Sequence, residues 1–309
     1  MLNGLQEAGC RVQYINLTGK LSHLYNPERR LGGNGPVYVR LSRIWRDLER
    51  FRPHAVIVCA GGLTFSSEEL ERLKRHSAVV GITLSDPDVF PTVSAYSHGF
   101  DVHTTNALQA LERYRDRGHE NIRFMPFAVD RSYFEPRDAS EQLRCDAAII
   151  GHARPDRLAL AARLAAEFNI RFYGKNWPWR SMGPVSGEAW FRAAYSTRCM
   201  INFPGTGAGH TNVKVGVFEA AATGRLLFTQ YFDEMRRYFE YDTEIVGYRD
   251  EEELVSKLRY YIEHEEEAGR IARAGQRRCM RDHLWANRFE TLFGQMEWSA
   301  LTRRQWFQD

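Results

Sequence analysis

Short apolar segments alternate with amphipathic helical segments along most of this chain, and this alternation limits its fold more than any other feature. The runs 55–60, 78–84, 147–151 and 200–203 are apolar nearly throughout, with helical patterns such as 66–75 and 155–168 between them. Strands that are apolar on both faces are typical of a parallel sheet that helices cover on both sides. We therefore predict an α/β fold of two doubly wound, Rossmann-like halves.

The segment 136–140 (Pro-Arg-Asp-Ala-Ser) is the best candidate for a linker, because the strand–helix alternation restarts after it. A chain of 309 residues is long enough for two domains of ordinary size. We predict a first domain of residues 1–138 and a second of residues 139–309, with a last helix able to pack back on the first domain. Open α/β sheets bind ligands at the carboxyl ends of their strands. We therefore expect a central cleft, faced by both domains, to hold the site.

The first domain starts in an unusual way. Residues 2–9 predict a short helix and residues 11–16 a strand, so we expect this domain to lack the strand that usually precedes its first helix. Residues 37–51 have the apolar spacing of an amphipathic helix. Ser66 with Glu69 predicts a capping box that begins a helix, and Asp250 with Glu253 predicts another helix start.

The charge balance excludes some classes of partner. Lys and Arg number 42 and Asp and Glu 39, a net charge of +3, which is too even for a nucleic-acid-binding protein. No uncharged run is long enough to cross a membrane, and the first residues do not resemble a signal peptide. The 5 cysteines are odd in number and widely spaced, as in a reduced protein. We expect a cytoplasmic protein without a transmembrane segment or a nucleic-acid partner.

A glycine-rich loop is the segment most informative about chemistry. It follows the strand 200–203 with Pro-Gly-Thr-Gly-Ala-Gly-His-Thr and leads to a helix predicted over 212–223. Such a loop can bring backbone N–H groups and a helix N-terminus against phosphates, and Lys214 adds a full positive charge. It matches no standard fingerprint, because His210 stands where a dinucleotide motif needs glycine. The alternative is a flexible connection without a ligand.

Glu219 is a lone carboxylate in an otherwise apolar helix. Its neighbours Val217, Phe218, Ala220 and Ala221 suggest that this helix is buried, and a buried charge needs a partner. The two hydroxyls of a ribose could both donate to one carboxylate. The alternative is a half-exposed glutamate on a solvated stripe.

Several sequence blocks, taken together, resemble a known family. The blocks 151–157, 172–177, 212–224 and 244–248 are similar, in this order, to the CgeB-type spore-protein glycosyltransferases, and the similarity covers most of residues 140–290. The first half is similar more loosely, at 85–87, 100–102, 127–130 and 134–136. The resemblance implies a GT-B fold and a hexosyltransferase that moves a sugar from a nucleoside-diphosphate donor to an unidentified acceptor. The second domain would hold the donor, which is a co-substrate, and no cofactor is expected.

The same resemblance implies roles for individual residues. Glu219 would bind the ribose, Lys214 and Arg157 would face the diphosphate, and the turn after Tyr173 and Gly174 would lie against the base. The full expected nucleotide-sugar site is Gly151, Arg157, Tyr173, Gly174, Gly209, His210, Thr211, Asn212, Lys214 and Glu219. Lys214 and Asp86 are the candidate catalytic residues.

Two departures from the family pattern leave the chemistry open. Many retaining GT-B enzymes carry a second glutamate eight residues before the ribose-binding one, and Thr211 stands there in this chain. Lys214 stands where the family usually has arginine. The stereochemical outcome is therefore not predicted. A nucleotide-sugar epimerase of the same fold and a non-catalytic nucleotide-sugar-binding protein remain alternatives.

Asp86 and Asp88 resemble the metal-binding D-x-D pair of A-type glycosyltransferases, because they follow an apolar strand. An A-type fold would not have two α/β halves, so we favour Asp86 as a contact of the acceptor. The histidines show no metal-ligand spacing with nearby Cys or Asp. We therefore expect a metal-independent enzyme without a metal site.

Overall fold

A computed structural model describes residues 1–16, 37–59, 63–179, 181–296 and 298. The chain divides into two compact units. The unit that we call the C-terminal unit is Phe127–Asn287 with Met1 and Asn3, and the N-terminal unit is Gly4–Pro126 with Leu2 and Arg288–Asp309. The division differs from the predicted boundary at 138, because residues 127–138 lie with the second sheet. The backbone of Val129 pairs there with His283 and Trp285, at N···O distances of 3.1 Å.

The N-terminal unit contains a four-stranded parallel sheet in the order β2-β4-β5-β6 and a separate parallel pair, β1 and β3. Strands β4 and β5 are both buried along their whole length; the apolar sequence of β4 predicted this, whereas β5 buries His103, Thr104 and Thr105. The helices and strands of this unit are α1 (Leu2–Glu7), β1 (Val37–Tyr38), α2 (Trp45–Phe51), β2 (Ala55–Cys59), β3 (Leu63–Thr64), α3 (Ser67–Lys74), β4 (Ala78–Ile82), α4 (Phe90–Val93), β5 (Val102–Thr105), α5 (Leu108–Asp116) and β6 (Ile122–Phe124).

The capping box of Ser66 and Glu69 is confirmed: the Ser66 hydroxyl accepts from the Glu69 amide, and the Glu69 carboxylate accepts from the Ser66 amide. The strand predicted over 11–16 is wrong, since these residues form neither helix nor strand. The helix predicted over 37–51 begins only at Trp45, because Val37 and Tyr38 pair with β3 instead. Ala60, the last residue of the predicted strand 55–60, and the two glycines after it lie outside the described residues.

The C-terminal unit has a five-stranded parallel sheet in the order β11-β10-β9-β7-β8. Its core includes Phe172, Phe228, Tyr248 and Leu254, all at most 1% exposed. The helices and strands that begin in this unit are β7 (Cys145–Ile150), α6 (Pro155–Glu167), β8 (Ile170–Tyr173), α7 (Glu188–Tyr195), β9 (Thr197–Asn202), α8 (Val215–Ala222), β10 (Leu226–Gln230), β11 (Val246–Tyr248), α9 (Glu251–Glu263), α10 (Glu265–Asp282) and α11 (Trp285–Gly294).

Two helix starts in this unit can be compared with the sequence. The cap of α9 is confirmed, because the Asp250 carboxylate accepts from the Glu253 amide at 2.8 Å. Helix α8 begins at Val215, later than the predicted start at residue 212. The three residues before it are not helical, because the Asn212 amide bonds back to the Pro204 carbonyl at 3.1 Å. Among the described residues, no helix is long and apolar enough to cross a membrane.

Candidate nucleotide-binding site

The strand order of the C-terminal unit defines a crevice at the carboxyl ends of β7 and β9. The chain passes from β7 to β8 on one side and then returns to place β9 on the other side of β7. At such a switch point the loops after the two central strands leave in opposite directions and open a crevice, which is where open α/β sheets bind their ligands. Here those loops lead to α6 and α8. The fold alone therefore brings both segments that carry predicted site residues to one place.

The loop between β7 and α6 is held together by Arg157. This side chain is only 7% exposed, its Nη1 donates to the His152 carbonyl at 3.2 Å, and its guanidinium lies 4.8 Å from the ring centre of Phe203. Burial lowers the pKa of Arg157 to about 10, so it stays charged at neutral pH. The family resemblance implied that Arg157 faces the diphosphate, which stays a prediction; in this structure its side chain supports the loop that begins at Gly151.

The end of β8 packs tightly against this loop. The Gly151 amide donates to the Tyr173 carbonyl at 2.7 Å, while the Gly151 carbonyl accepts from the Trp177 indole at 2.9 Å. Gly174 has φ +143°, and a Cβ there would clash with the Gly151 carbonyl, so only glycine fits. The phenol of Tyr173 lies in the core, 2% exposed, beside Cys145 and Ala193. Only the main chain of Tyr173 is therefore placed to contact a ligand at this edge.

The glycine-rich loop after β9 is a small hairpin rather than an open cradle. Gly205 and Thr211 pair antiparallel across it, and the Thr206 amide donates to the His210 carbonyl at 2.6 Å. The Gly209 amide donates to the Thr206 carbonyl at 3.2 Å, and Gly209 has φ +83° at the tight turn. The His210 amide donates to the Thr206 hydroxyl at 3.1 Å. The amides of Gly209, His210 and Asn212 thus close the hairpin, although the sequence suggested them as phosphate donors.

The start of α8 remains the best anion-binding feature of the crevice. Lys214 is its N-cap residue, and no side chain caps the first turn. The amides of that turn are therefore not bonded to a capping side chain, and they carry the positive end of the helix dipole. The Lys214 ammonium donates to the Gly205 carbonyl, which fixes the hairpin to the helix. An ammonium has three N–H donors, so this bond by itself does not use all of them.

Glu219 lies on α8 and is half-buried. Its Oε1 accepts a hydrogen bond of 2.9 Å from the hydroxyl of Tyr133. Burial raises the pKa of Glu219, and the bond from Tyr133 opposes that rise. Burial and the nearby Glu219 together raise the pKa of the Tyr133 hydroxyl, so it is a stable donor at neutral pH. Glu219 is thus the partnered carboxylate that the apolar helix required, but its partner in the protein is a tyrosine that the sequence did not single out.

The ring of Tyr133 packs against α7. Its centre lies 5.3 Å from the ring of Trp190 and 5.0 Å from that of Phe191. The hydroxyl of Tyr195 donates to the backbone carbonyl of Glu135 at 2.9 Å and holds the segment that carries Tyr133. No local pattern could have indicated this contact, because Tyr133 and Glu219 are 86 positions apart.

Glu234 is a carboxylate in the turn that follows β10, and the sequence did not single it out. Its Oε1 is buried and has no hydrogen-bond partner among the described residues. Burial raises the pKa of Glu234 to about 7, against the opposing effects of Arg237 and Tyr238. This carboxyl group therefore changes charge near neutral pH.

Asp86, the other candidate catalytic residue, lies in the N-terminal unit after β4. It is 2% exposed, and its Oδ2 accepts from the Thr105 hydroxyl at 2.6 Å. Its amide donates to the Asn106 side chain at 3.0 Å. Burial raises the pKa of Asp86 to about 6. These bonds favour a role in joining the loops after β4 and β5. Asp88 is exposed, and the described residues contain no group of three His, Cys, Asp or Glu arranged to hold a metal ion.

Comparison with known proteins finds a family match within the chain and several structures of similar fold. Residues 154–294, which include α6, α8 and the hairpin, match the family described as "Glycosyl transferase-like". The solved structures of HepE from Anabaena in complex with UDP-glucose and of a glycosyltransferase from Rickettsia africae are similar in fold. HepE is 9% identical, with a TM-score of 0.55 and 82% of each chain covered. The Rickettsia protein is 9% identical, with a TM-score of 0.56 over 98% of this chain and 88% of that one.

Sucrose-phosphate synthase from Thermosynechococcus elongatus is also similar, with 12% identity, a TM-score of 0.55 and coverage of 84% of this chain and 81% of that one. No curated protein matches the chain. At these identities the structures show the fold, which is the parallel-sheet α/β fold of GT-B glycosyltransferases. Residues 154–294 therefore match a glycosyl transferase-like domain, as the sequence resemblance led us to expect, and the expected α/β fold with parallel sheets is confirmed.

Proposed function

We propose that this protein transfers a sugar, a hexose, from a nucleoside-diphosphate donor to an acceptor, and that the donor binds in the β7–β9 crevice. One observation supports the proposal most directly: the first-turn amides and Glu219 lie on α8 with Lys214 as its N-cap residue, and this helix follows the crevice between β7 and β9. The first turn of α8, which no side chain caps, and Lys214 supply positive charge, and Glu219 supplies a half-buried carboxylate. HepE, a protein of the same fold, has been solved in complex with UDP-glucose, which supports this location.

In this proposal α8 binds the donor along its length. Lys214 and Glu219 are five positions apart, about 7.5 Å of helix rise, which suits a diphosphate at the helix start and a ribose one turn further on. Negative charge grows on the leaving diphosphate as the sugar bond breaks. The Lys214 ammonium and the first-turn amides would stabilise that charge in the transition state. Because they supply positive charge, no divalent ion is needed in this scheme.

Incubation with donors that carry a labelled sugar tests the activity. A panel of nucleoside-diphosphate sugars, with and without excess EDTA, should give labelled acceptor or free labelled sugar, at equal rates in both conditions. Two alternatives give different products: an epimerase returns an altered nucleotide-sugar, and a non-catalytic protein returns the donor unchanged although it binds. The second alternative is favoured by one observation, since the exposed Thr211 stands where retaining relatives place a glutamate. Activity that EDTA abolishes and manganese restores would contradict metal independence.

Calorimetry on two variants tests the site itself. Glu219→Gln keeps the shape but removes a charged acceptor, so nucleosides and nucleoside diphosphates should both bind about tenfold or more weakly, a loss of about 1.5–3 kcal/mol. Lys214→Met should weaken the diphosphate strongly and the nucleoside hardly at all. It should also slow turnover more than it weakens donor binding, because charge on the leaving group is greatest in the transition state.

Glu266→Gln is the matched control, since Glu266 is exposed in the first turn of α10. It should bind both ligands like the unmodified protein. Normal nucleotide binding by Glu219→Gln, or an equal loss of nucleoside and diphosphate by Lys214→Met, would show that the donor site is assigned wrongly.

A further inference from the structure

The contact between Tyr133 and Glu219 connects the segment before β7 to the helix of the proposed donor site. Tyr133 lies in the turn of residues 131–134, which packs on α7, and its hydroxyl donates to Glu219 at 2.9 Å. Neither the family match, which begins at residue 154, nor the expected site residues include this tyrosine. Its position raises the question of what it does for the carboxylate.

The hydrogen-bonding capacity of the pair leaves room for a ribose. A carboxylate has about four acceptor positions, and Tyr133 occupies one of them on Oε1. Two ribose hydroxyls need two more, which the remaining positions supply. The Tyr133 hydroxyl donates its only proton to Glu219, so its own lone pairs can accept from a ligand hydroxyl. Tyr133 and a ribose can therefore bind Glu219 at the same time.

The tyrosine is itself held in place before any ligand arrives. Trp190 and Phe191 flank its ring at 5.3 and 5.0 Å, and Tyr195 anchors the backbone at Glu135. Because the Tyr133 hydroxyl is fixed in this way, its hydrogen bond holds the flexible Glu219 side chain in one rotamer. Less conformational freedom is then lost when a ligand binds.

We propose that Tyr133 is a positioning residue whose hydroxyl keeps the Glu219 carboxylate oriented and negatively charged for the ribose diol of the donor. This inference rests on the proposed function for the identity of the ligand. The interaction of the two side chains does not depend on it.

The proposal has a consequence for pH. A hydrogen bond to the charged form of a carboxylate lowers its pKa, so Tyr133→Phe leaves the effect of burial unopposed and raises the pKa of Glu219 further. The ionised carboxylate binds the diol, so binding is lost as the pH falls through the pKa of Glu219, and this loss should begin at a higher pH in the variant.

The other titratable or charged groups packed around α8 are few among the described residues. Asp130 is near Tyr133, His283 and Tyr238 contact the ring of Phe218, and the Cys279 thiol faces the Phe218 carbonyl. Burial and Tyr133 are the two causes that shift the pKa of Glu219. A change of its titration in Tyr133→Phe is therefore assigned to the lost hydroxyl.

Two measurements test the proposal on the full chain. The first is calorimetry at pH 8 with four ribonucleoside diphosphates and with their 2′,3′-dideoxy analogues. Tyr133→Phe should bind the ribonucleotide with the highest affinity about three- to tenfold more weakly than the unmodified protein does. Its affinity for the dideoxy analogue should equal that of the unmodified protein. The second is a ligand-free pH titration of the Glu219 carboxyl group by carbon-13 NMR, assigned by the signal that Glu219→Gln removes. Its midpoint should move to higher pH in Tyr133→Phe.

Tyr260→Phe is the control, since it removes a tyrosine hydroxyl that donates to a different glutamate, Glu267, at 2.8 Å, and it should leave both readouts unchanged. Equal weakening of the ribose and dideoxy ligands by Tyr133→Phe, or an unmoved midpoint, would overturn the positioning role. If the unmodified protein binds no nucleotide, the proposed function fails, and the ligand-free titration still decides whether Tyr133 keeps Glu219 charged.

Discussion

Replacing the buried Asp86 by Asn should change how the stability of the protein depends on pH. In the folded protein burial raises the pKa of Asp86 to about 6, from a reference value of 3.8. Between about pH 3.8 and pH 6 the folded state therefore binds more protons than the unfolded state. The contribution of Asp86 to stability is greatest in acid and is lost as the pH rises through about 6.

The difference of about two pKa units corresponds to about 3 kcal/mol between the acidic and the neutral limits. The side chain is 2% exposed, so little of this effect is screened by solvent. In the unmodified protein the Thr105 hydroxyl donates to the Asp86 carboxylate at 2.6 Å. Asparagine keeps an oxygen that can accept this bond, but its side chain does not titrate. Part of this effect is already lost below pH 5, so the gap in unfolding free energy between pH 5.0 and pH 7.5 should change by about 1.4 kcal/mol in Asp86→Asn.

Urea denaturation at the two pH values measures this gap, and hydrogen exchange in β4 and β5 assigns the transition to the N-terminal unit. Asp116→Asn is the matched control, because Asp116 is an exposed carboxylate at the end of α5 in the same unit, and it should keep the pH dependence of the unmodified protein. The same gap in Asp86→Asn and in the unmodified protein would refute the reasoning that Asp86 is buried and changes charge near pH 6.

Three further predictions concern the C-terminal unit. Gly174→Ala should destabilise it by about 2 kcal/mol or more in urea denaturation, because a Cβ clashes with the Gly151 carbonyl, whereas Gly183→Ala has open space and should cost less. Glu234→Gln should stabilise the protein above pH 7, because burial raises the pKa of this carboxyl group to about 7 and so destabilises its ionised form. The expected gain is about 1–2 kcal/mol after allowance for the partial exposure of the side chain. An unchanged melting temperature at pH 8 would contradict this. Asp250→Ala should cost about 1 kcal/mol as a lost helix cap, and thermal unfolding with no loss would show that the cap is not needed.

The features that the sequence predicted well are those that depend on neighbouring residues. The apolar runs gave β4 and β7 because a strand buried on both faces has no polar positions, and Ser66 with Glu69 gave a helix start because a capping box spans one turn. Lys214 and Glu219 were singled out because charged residues are unusual around an apolar helix, and their contact with a donor stays a prediction. These signals are local, so no knowledge of the rest of the fold was needed.

The features that the sequence could not predict depend on contacts between distant segments. The pairing of Val37 and Tyr38 with β3 replaced a helical pattern that was locally sound. The pairing of Gly205 with Thr211 turned a loop suited to phosphate into a closed hairpin. Arg157 became buried under Phe203, and Tyr133 reached Glu219 across 86 positions. In each case a tertiary contact decided the conformation, and spacing along the chain does not report such contacts.

The position of the unit boundary matters for anyone who wishes to produce the two halves separately. An expression fragment cut at the sequence-derived linker would begin at residue 139 and would omit Tyr133, together with the Val129 backbone that pairs with His283 and Trp285. The glutamate of α8 would then be left without its hydroxyl donor. A fragment of Phe127–Asn287 retains both segments, and it also contains every residue of the expected nucleotide-sugar site. It is therefore the better of the two fragments for measuring whether this unit binds a nucleotide.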